Sequence, residues 1–346
     1  MNFDALKKHL DATGVKKYRL DQIRKAVYSQ GAGSWDEMTA LPEELRTELA
    51  EKFPVLSMKL VELRVSKFSP ARKALMELKD GARIETVLLN SGTGWSVCVS
   101  SQVGCSVRCV FCATGKIGFK RNLSAQEIEE QVLFWFQHIR KEKLGERIYS
   151  VVYMGMGEPF LNYTEMVKSI QALSDPEKLG IGQRHISVST SGFPRGIAKL
   201  ACDLPQVNLA LSLHSVDELE RSRMIPVNRR FGLEDLRKAL GNYIKKTNRE
   251  VFIEYAVMKG HNDTPVHARK LIEWIRSVAG CYLLHVNLIP CNKVKGSRFE
   301  ASSADAERFA ARLIPAGVKA TVRKSLGPDI GAACGQLAGG GAEGKR

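Results

Sequence analysis

From about residue 95 onward, β-rich apolar runs and helical patterns take turns along the chain. The runs are WSVCVSS, YSVVYMGM, HISVSTS, VNLALSLHS, VFIEYAVM and YLLHVNLIP. They are apolar almost throughout rather than at alternate positions, which marks strands buried on both faces in a parallel sheet. Between them, amphipathic patterns predict helices over 124–141, 164–174, 194–202, 232–247 and 264–278. Leu233, Leu236, Leu240 and Tyr243 share one face of the fourth, and Thr264 caps the fifth with Pro265 beginning it. A further helix near 303–314 leads to KATVRKS. Parallel neighbours need crossover helices, so the chain reads as α/β with about six βα units. A closed eightfold barrel takes ~250 residues; a partial (β/α)6 barrel fits the span better.

The chain upstream has other periods. Leu20, Ile23 and Val27 fall at helical spacing, and Leu41, Leu45, Leu49 and Phe53 recur at every fourth residue, with Pro42 expected in a first turn. Residues 1–54 therefore form a small basic helical domain, rich in lysine and arginine over residues 1–30. Residues 55–94 form a β-hairpin extension, in which LKDGARIETVLLN turns at Asp80-Gly81. The core is expected over 95–327, and 328–346 forms a closing segment with a flexible tail, AGGGAEGKR. No apolar window approaches the ~18 residues of a membrane span, and MNFDALKKHLDATG lacks the apolar stretch of a signal peptide. A cytoplasmic protein, off the membrane and monomeric, is expected. Lys+Arg 52 against Asp+Glu 37 leaves +15, which points to a polyanionic partner; a solubility surplus is the plainer alternative.

Eight cysteines are too few for a disulfide scaffold, and clustered ones in a cytosolic chain point to metal or redox chemistry. GCSVRCVFCATG spaces Cys105, Cys109 and Cys112 as C-x3-C-x2-C. Thiolates ligate iron–sulfur clusters and structural zinc. Three ligands for four irons leave one iron open to a substrate, the arrangement of radical S-adenosylmethionine (SAM) enzymes. Zinc completed by a remote residue, or three packed core cysteines, are the competing readings. Later strands end in GMGEP, STSG, SLHS and IPCN, each short-chained and polar. Glycines there admit close backbone approach, and Glu158 could accept from an ammonium. In register with the cysteine loop, four such strand ends favour the cluster.

With these residues the chain closely resembles the RlmN/Cfr family of radical SAM RNA methyltransferases, from about residue 18 to 340. ETVLL, CVSSQVGC, FCATG, GMGEP, STSG, SLHS, HVNLIP and DIGAACGQLAG carry the likeness. The resemblance implies a [4Fe–4S] cluster on Cys105, Cys109 and Cys112. It implies a SAM site lined by Gly157, Glu158, Ser189, Ser212, Leu213, His214 and Asn292. Cys334, in a mobile segment after the last strand, corresponds to the methyl-carrying cysteine, Cys98 to its resolving partner and Glu85 to the proton acceptor. Taken alone, Glu85 would be a surface charge on a hairpin, and Cys98 and Cys334 buried structural thiols. Cys202, Cys281 and Cys291 receive no role.

The implied reaction methylates carbon 2 of an adenine in 23S rRNA, with tRNA open as a second substrate and an electron donor such as flavodoxin or ferredoxin as a partner. That carbon is electron-poor and cannot attack a sulfonium methyl. The family therefore uses two SAM molecules and passes the methyl through Cys334, closing with a transient Cys98–Cys334 disulfide. The Cfr branch methylates carbon 8 instead; Pro159 in GMGEP leans toward carbon 2. Other readings are a non-catalytic iron–sulfur or zinc RNA-binding module and a radical SAM enzyme acting on protein. Lys116, Lys120, Arg121, Arg221, Arg223, Arg229, Arg230, Lys293, Lys295 and Arg298 are expected to rim the barrel mouth, where RNA phosphates would pass.

Overall fold

The computed structural model describes residues 1–297 and 299–339; Arg298 and tail residues 340–346 lie outside it. The N-terminal helices are α1 (Phe3–Ala12), capped by the Asn2 side chain, α2 (Tyr18–Lys25), which continues into a π turn over Ala26–Gln30, and α3 (Glu43–Lys52). Pro42 stands just ahead of α3 rather than in its first turn. Leu6, Leu10, Ile23, Val27 and Leu49 bury the apolar stripes, in one continuous core with the sheet behind them.

Three antiparallel strands follow: β1 (Lys59–Val65), β2 (Ala71–Glu77) and β3 (Arg83–Asn90). The second and third are the expected hairpin about Asp80-Gly81. Next, β3 pairs antiparallel with β4 (Trp95–Cys98), so the hairpin continues into the main sheet. After β4 the chain makes a separate ribbon of β5 (Gln102–Gly104) and β6 (Phe119–Asn122), with α4 (Ala113–Ile117) between them. Helix α5 (Ala125–Lys141) opens on a capping box of Ser124 and Glu127.

The alternation then runs as expected. It comprises β7 (Ile148–Tyr153), α6 (Tyr163–Ser174), β8 (Ile186–Thr190), α7 (Pro194–Asp203), β9 (Asn208–Ser212), α8 (Glu218–Met224) and α9 (Leu233–Thr247). It closes with β10 (Val251–Val257), α10 (Pro265–Ser277), β11 (Leu284–Pro290), α11 (Ser303–Leu313) and β12 (Ala320–Val322). Thr264 caps α10, its hydroxyl accepting from the His267 N–H.

The sheet has ten strands in the order β1-β2-β3-β4-β7-β8-β9-β10-β11-β12, and every pairing from β4 onward is parallel. Its edges, β1 and β12, do not meet, so among the described residues the fold is an open α/β sheet. Val151, Val188, Leu209, Leu211, Ile253 and Val286 are fully buried along it. Each such side chain contributes roughly 1.5–3 kcal/mol relative to exposure. No helix among the described residues is long and apolar enough to cross a membrane.

Candidate active site

One cavity opens at the C-terminal ends of the parallel strands, where α/β folds place their ligands. Cys105, Cys109, Cys112, Gly157, Glu158, Ser189, Ser212, His214, Asn292 and Cys334 all line it. Ten of the thirteen expected site residues thus converge, from the ends of five strands or the loops that follow them and from the C-terminal segment.

The cysteine loop hangs from the β5–β6 ribbon. Gly104 has φ 76°, and a Cβ there would lie 1.7 Å from the Gly118 carbonyl oxygen, which accepts from Cys105 N–H at 3.0 Å. Gly104→Ala is therefore expected to displace the loop, at about 1–3 kcal/mol for the backbone strain alone. Iron bound per chain should drop with the melting temperature. Unchanged values of both would show that the ribbon does not set the loop.

Burial away from water pushes the Cys105 thiol up to about 12 and Cys109 well above its ordinary value; neighbouring cysteines and Glu158 add to both shifts. Converging acids that repel one another as anions suit a cationic centre, and as thiolates they suit iron. Among the described residues, no three His, Cys, Asp or Glu side chains gather as ligands of a single metal ion. A four-iron cluster takes one thiolate per iron, so its cysteines stand further apart than the ligands of one ion.

Gly157, at φ 103°, packs so tightly that a Cβ would meet the Gln102 Cβ at 2.6 Å. Glu158 follows, and its N–H donates to Gln102 Oε1 at 2.9 Å. The buried carboxylate accepts from Ser191 N–H (2.8 Å), Ser191 hydroxyl (2.7 Å) and Phe160 N–H (3.1 Å). Burial raises its pKa despite these bonds. Glu158 thus ties the β7 and β8 ends together at the cavity wall. Ser189 and Ser212 hydroxyls lie 3.2 Å apart. His214, at φ 58°, accepts from Ala256 N–H through Nδ1 at 2.9 Å and packs edge-on to Phe111. Burial and then Arg221 depress it to about 3, so its ring is neutral at working pH. Leu213 does not line the cavity: its side chain joins the apolar core.

Cys98 ends β4 and is buried just outside the lining; burial, then nearby Cys334, push its thiol up to about 12. Cys334 lines the cavity, and the desolvation of its thiol outweighs the favourable Arg323 in raising it. The segment around it is hydrogen-bonded to its neighbours. Cys334 carbonyl accepts from Asn292 Nδ2 (3.2 Å), Gly335 carbonyl from Ala113 N–H (2.7 Å) and Leu337 carbonyl from Thr114 hydroxyl (2.7 Å). All eight cysteines are free.

Glu85 is not a surface charge: it is buried beneath this segment, also outside the cavity lining. Arg221 is likewise no part of a phosphate-binding rim. It is fully buried and donates to the carbonyls of Leu213, Ser191 and Ser212 and to Asn228 Oδ1, bracing the strand ends. Arg121 is committed to Asp80 and Glu127. Of the unassigned cysteines, Cys291 lines the cavity.

One wall residue escaped the sequence reading. Glu254, on β10, is buried and accepts from Asn287 Nδ2 at 2.9 Å, with Arg323 at 3.7 Å from its other oxygen. An acid inside the apolar run VFIEYAVM was the available signal.

The chain matches the family model of the radical SAM superfamily over residues 99–272 and that of the ribosomal RNA large subunit methyltransferase N-terminal domain over 1–55. It is similar to a "Probable dual-specificity RNA methyltransferase RlmN" of Chloroflexus aurantiacus, 41% identical over 98% of this chain and 91% of that one. It is also similar to a "Ribosomal RNA large subunit methyltransferase Cfr" of Clostridium botulinum, 39% identical over 97% and 96%. The crystal structure of a radical SAM methyltransferase from Sphaerobacter thermophilus superposes with a TM-score of 0.90, at 40% identity and 98% coverage of both chains.

Proposed function

Because this chain belongs to the RlmN/Cfr family of radical SAM RNA methyltransferases, we propose that it methylates carbon 2 of an adenine in 23S rRNA through a methyl carried on Cys334. The family uses a [4Fe–4S] cluster and SAM, and we assign the cluster to Cys105, Cys109 and Cys112. When bound and supplied with an electron by a flavodoxin- or ferredoxin-like donor, these groups would supply one-electron chemistry and a transferable methyl. The observation that carries the reading is that Cys98 and Cys334, from distant parts of the chain, lie near enough for Cys334 to act electrostatically on Cys98, beside a cavity lined by the three-cysteine loop. A metal-binding module without catalysis has no use for that pair.

In this reading the Cys334 sulfur receives the methyl and delivers its carbon to the adenine. Cys98, as thiolate, then attacks the Cys334 sulfur; the sulfur–carbon bond breaks with its electron pair passing to the departing carbon, which takes a proton to become the product methyl, and the two sulfurs are left as a disulfide. Arg323 favours the anionic form of both thiols and so assists the two steps in which sulfur is the nucleophile. Glu85 takes the carbon-2 proton. Its oxygens are occupied, so it must first release a partner, as movement of the Cys334 segment would allow. Gly157, Glu158, Ser189, Ser212, His214, Asn292 and the backbone at Leu213 shape the SAM pocket. The +15 charge serves RNA binding. The dual specificity named for the Chloroflexus relative motivates including tRNA.

Mass spectrometry of rRNA and tRNA nucleosides from a deletion strain tests this directly. Loss of 2-methyladenosine is expected; loss of 8-methyladenosine would assign the carbon-8 reaction, and no change would remove RNA methylation as the function.

A further inference from the structure

Lys73 has no part in the reading above. It sits on β2, its side chain is buried, and its ammonium lies 2.9 Å from Glu85 Oε1 on β3. The same ammonium donates to the Gly331 carbonyl at 3.2 Å. Glu85 Oε2 accepts from the backbone N–H groups of Ala338 (2.6 Å) and Gly339 (3.2 Å). The two side chains therefore grip the backbone on either side of Cys334, one at Gly331 and the other at Ala338 and Gly339.

We propose that Lys73 and Glu85 form a buried clasp that positions Cys334, with Lys73 as a positioning residue for the thiol. A buried ion pair by itself is a poor source of stability, because desolvation offsets the attraction. Here each charge also satisfies backbone groups of one segment, and charge-assisted bonds of this kind are the stronger class. The clasp has polarity. The cation meets a carbonyl that can only accept, and the anion meets N–H groups that can only donate. Its ends cannot be exchanged. The inference that this positioning serves catalysis rests on the methyl-carrier reading of Cys334; the clasp itself does not.

Hydrogen exchange of the reconstituted holoprotein without RNA tests it. In Lys73→Met, which keeps the aliphatic stem, exchange over 331–339 should accelerate about tenfold or more, while peptides covering β7–β11 stay protected. RNA methylation should fall at least tenfold, while SAM cleavage in the absence of RNA is unchanged. Global loosening would not produce that split. Lys73→Arg should restore both. The exchanged pair Lys73→Glu/Glu85→Lys should not restore exchange protection, because an ammonium would face two N–H donors; its methylation is not compared, since Glu85 is the proposed proton acceptor. Should Lys73→Met fail to fold, Lys73→Gln carries the same comparison. Unchanged exchange in the single variant, exchange raised equally everywhere, or rescue by the exchanged pair would each overturn the clasp. Absence of methyl on Cys334 in the wild-type enzyme would instead sink the carrier reading, with the exchange result standing.

Discussion

Cys98→Ala will accumulate a covalent protein–RNA species that survives denaturation. In the proposed relay, methyl transfer to Cys334 and addition to the adenine do not use Cys98; release does, and the other thiol that acts on Cys334, Cys112, is assigned to the cluster. Turnover should stop after roughly one equivalent, because a step that cannot complete leaves every active site loaded. The double variant Cys98→Ala/Cys334→Ala should give no cross-link, as the carrier is gone. Glu85→Gln should show a partial trap through slower proton removal. The wild-type release rate should rise with pH past the ordinary thiol range, because burial holds Cys98 protonated up to about 12 and only its thiolate attacks. Gel electrophoresis under denaturing conditions reads the trap. Normal turnover without a cross-linked band would make the pair structural.

Cys109→Ala will lose iron and SAM cleavage together. Cys109 is the central thiol of the loop, and the neighbouring cysteines act on it most strongly after burial. Cys105 and Cys112 are already committed in this reading, and the remaining cavity thiols, Cys291 and Cys334, lie outside the C-x3-C-x2-C loop. Removing a direct ligand should cost more than the ~10–100-fold that changes behind the ligands cost. Iron content and 5′-deoxyadenosine release should both fall to background, with the melting temperature reporting on the fold separately. A variant with full iron and full cleavage would end the cluster assignment.

Much of the fold was legible along the chain. Runs such as VNLALSLHS and the helical stripe of Leu233, Leu236, Leu240 and Tyr243 carry their period locally. The predicted helices and strands stand within a few residues of their expected places. The convergence of most candidate-site residues on one cavity was legible for the same reason. Ligand spacing in Cys105–Cys112 and small residues at strand ends are short-range features, and parallel strands bring their C-terminal ends to one side whatever loops follow.

What the chain order left open were the charges. Arg221 reads as one of a basic series, yet it is fully buried because carbonyls of Ser191, Ser212 and Leu213 surround it. Glu85 reads as a hairpin surface charge, yet the 331–339 segment covers it. Hydrophobic period and ligand spacing are properties of neighbouring residues, so they can be read in order. The state of a charged side chain depends on which distant backbone comes to satisfy it, since a charge leaves water only where partners replace the water. Those partners are chosen by the tertiary fold, which is why the elements and the cysteine loop belong to the sequence, and the Arg221 brace, the Glu254 wall and the Lys73–Glu85 grip on Cys334 belong to the assembled structure.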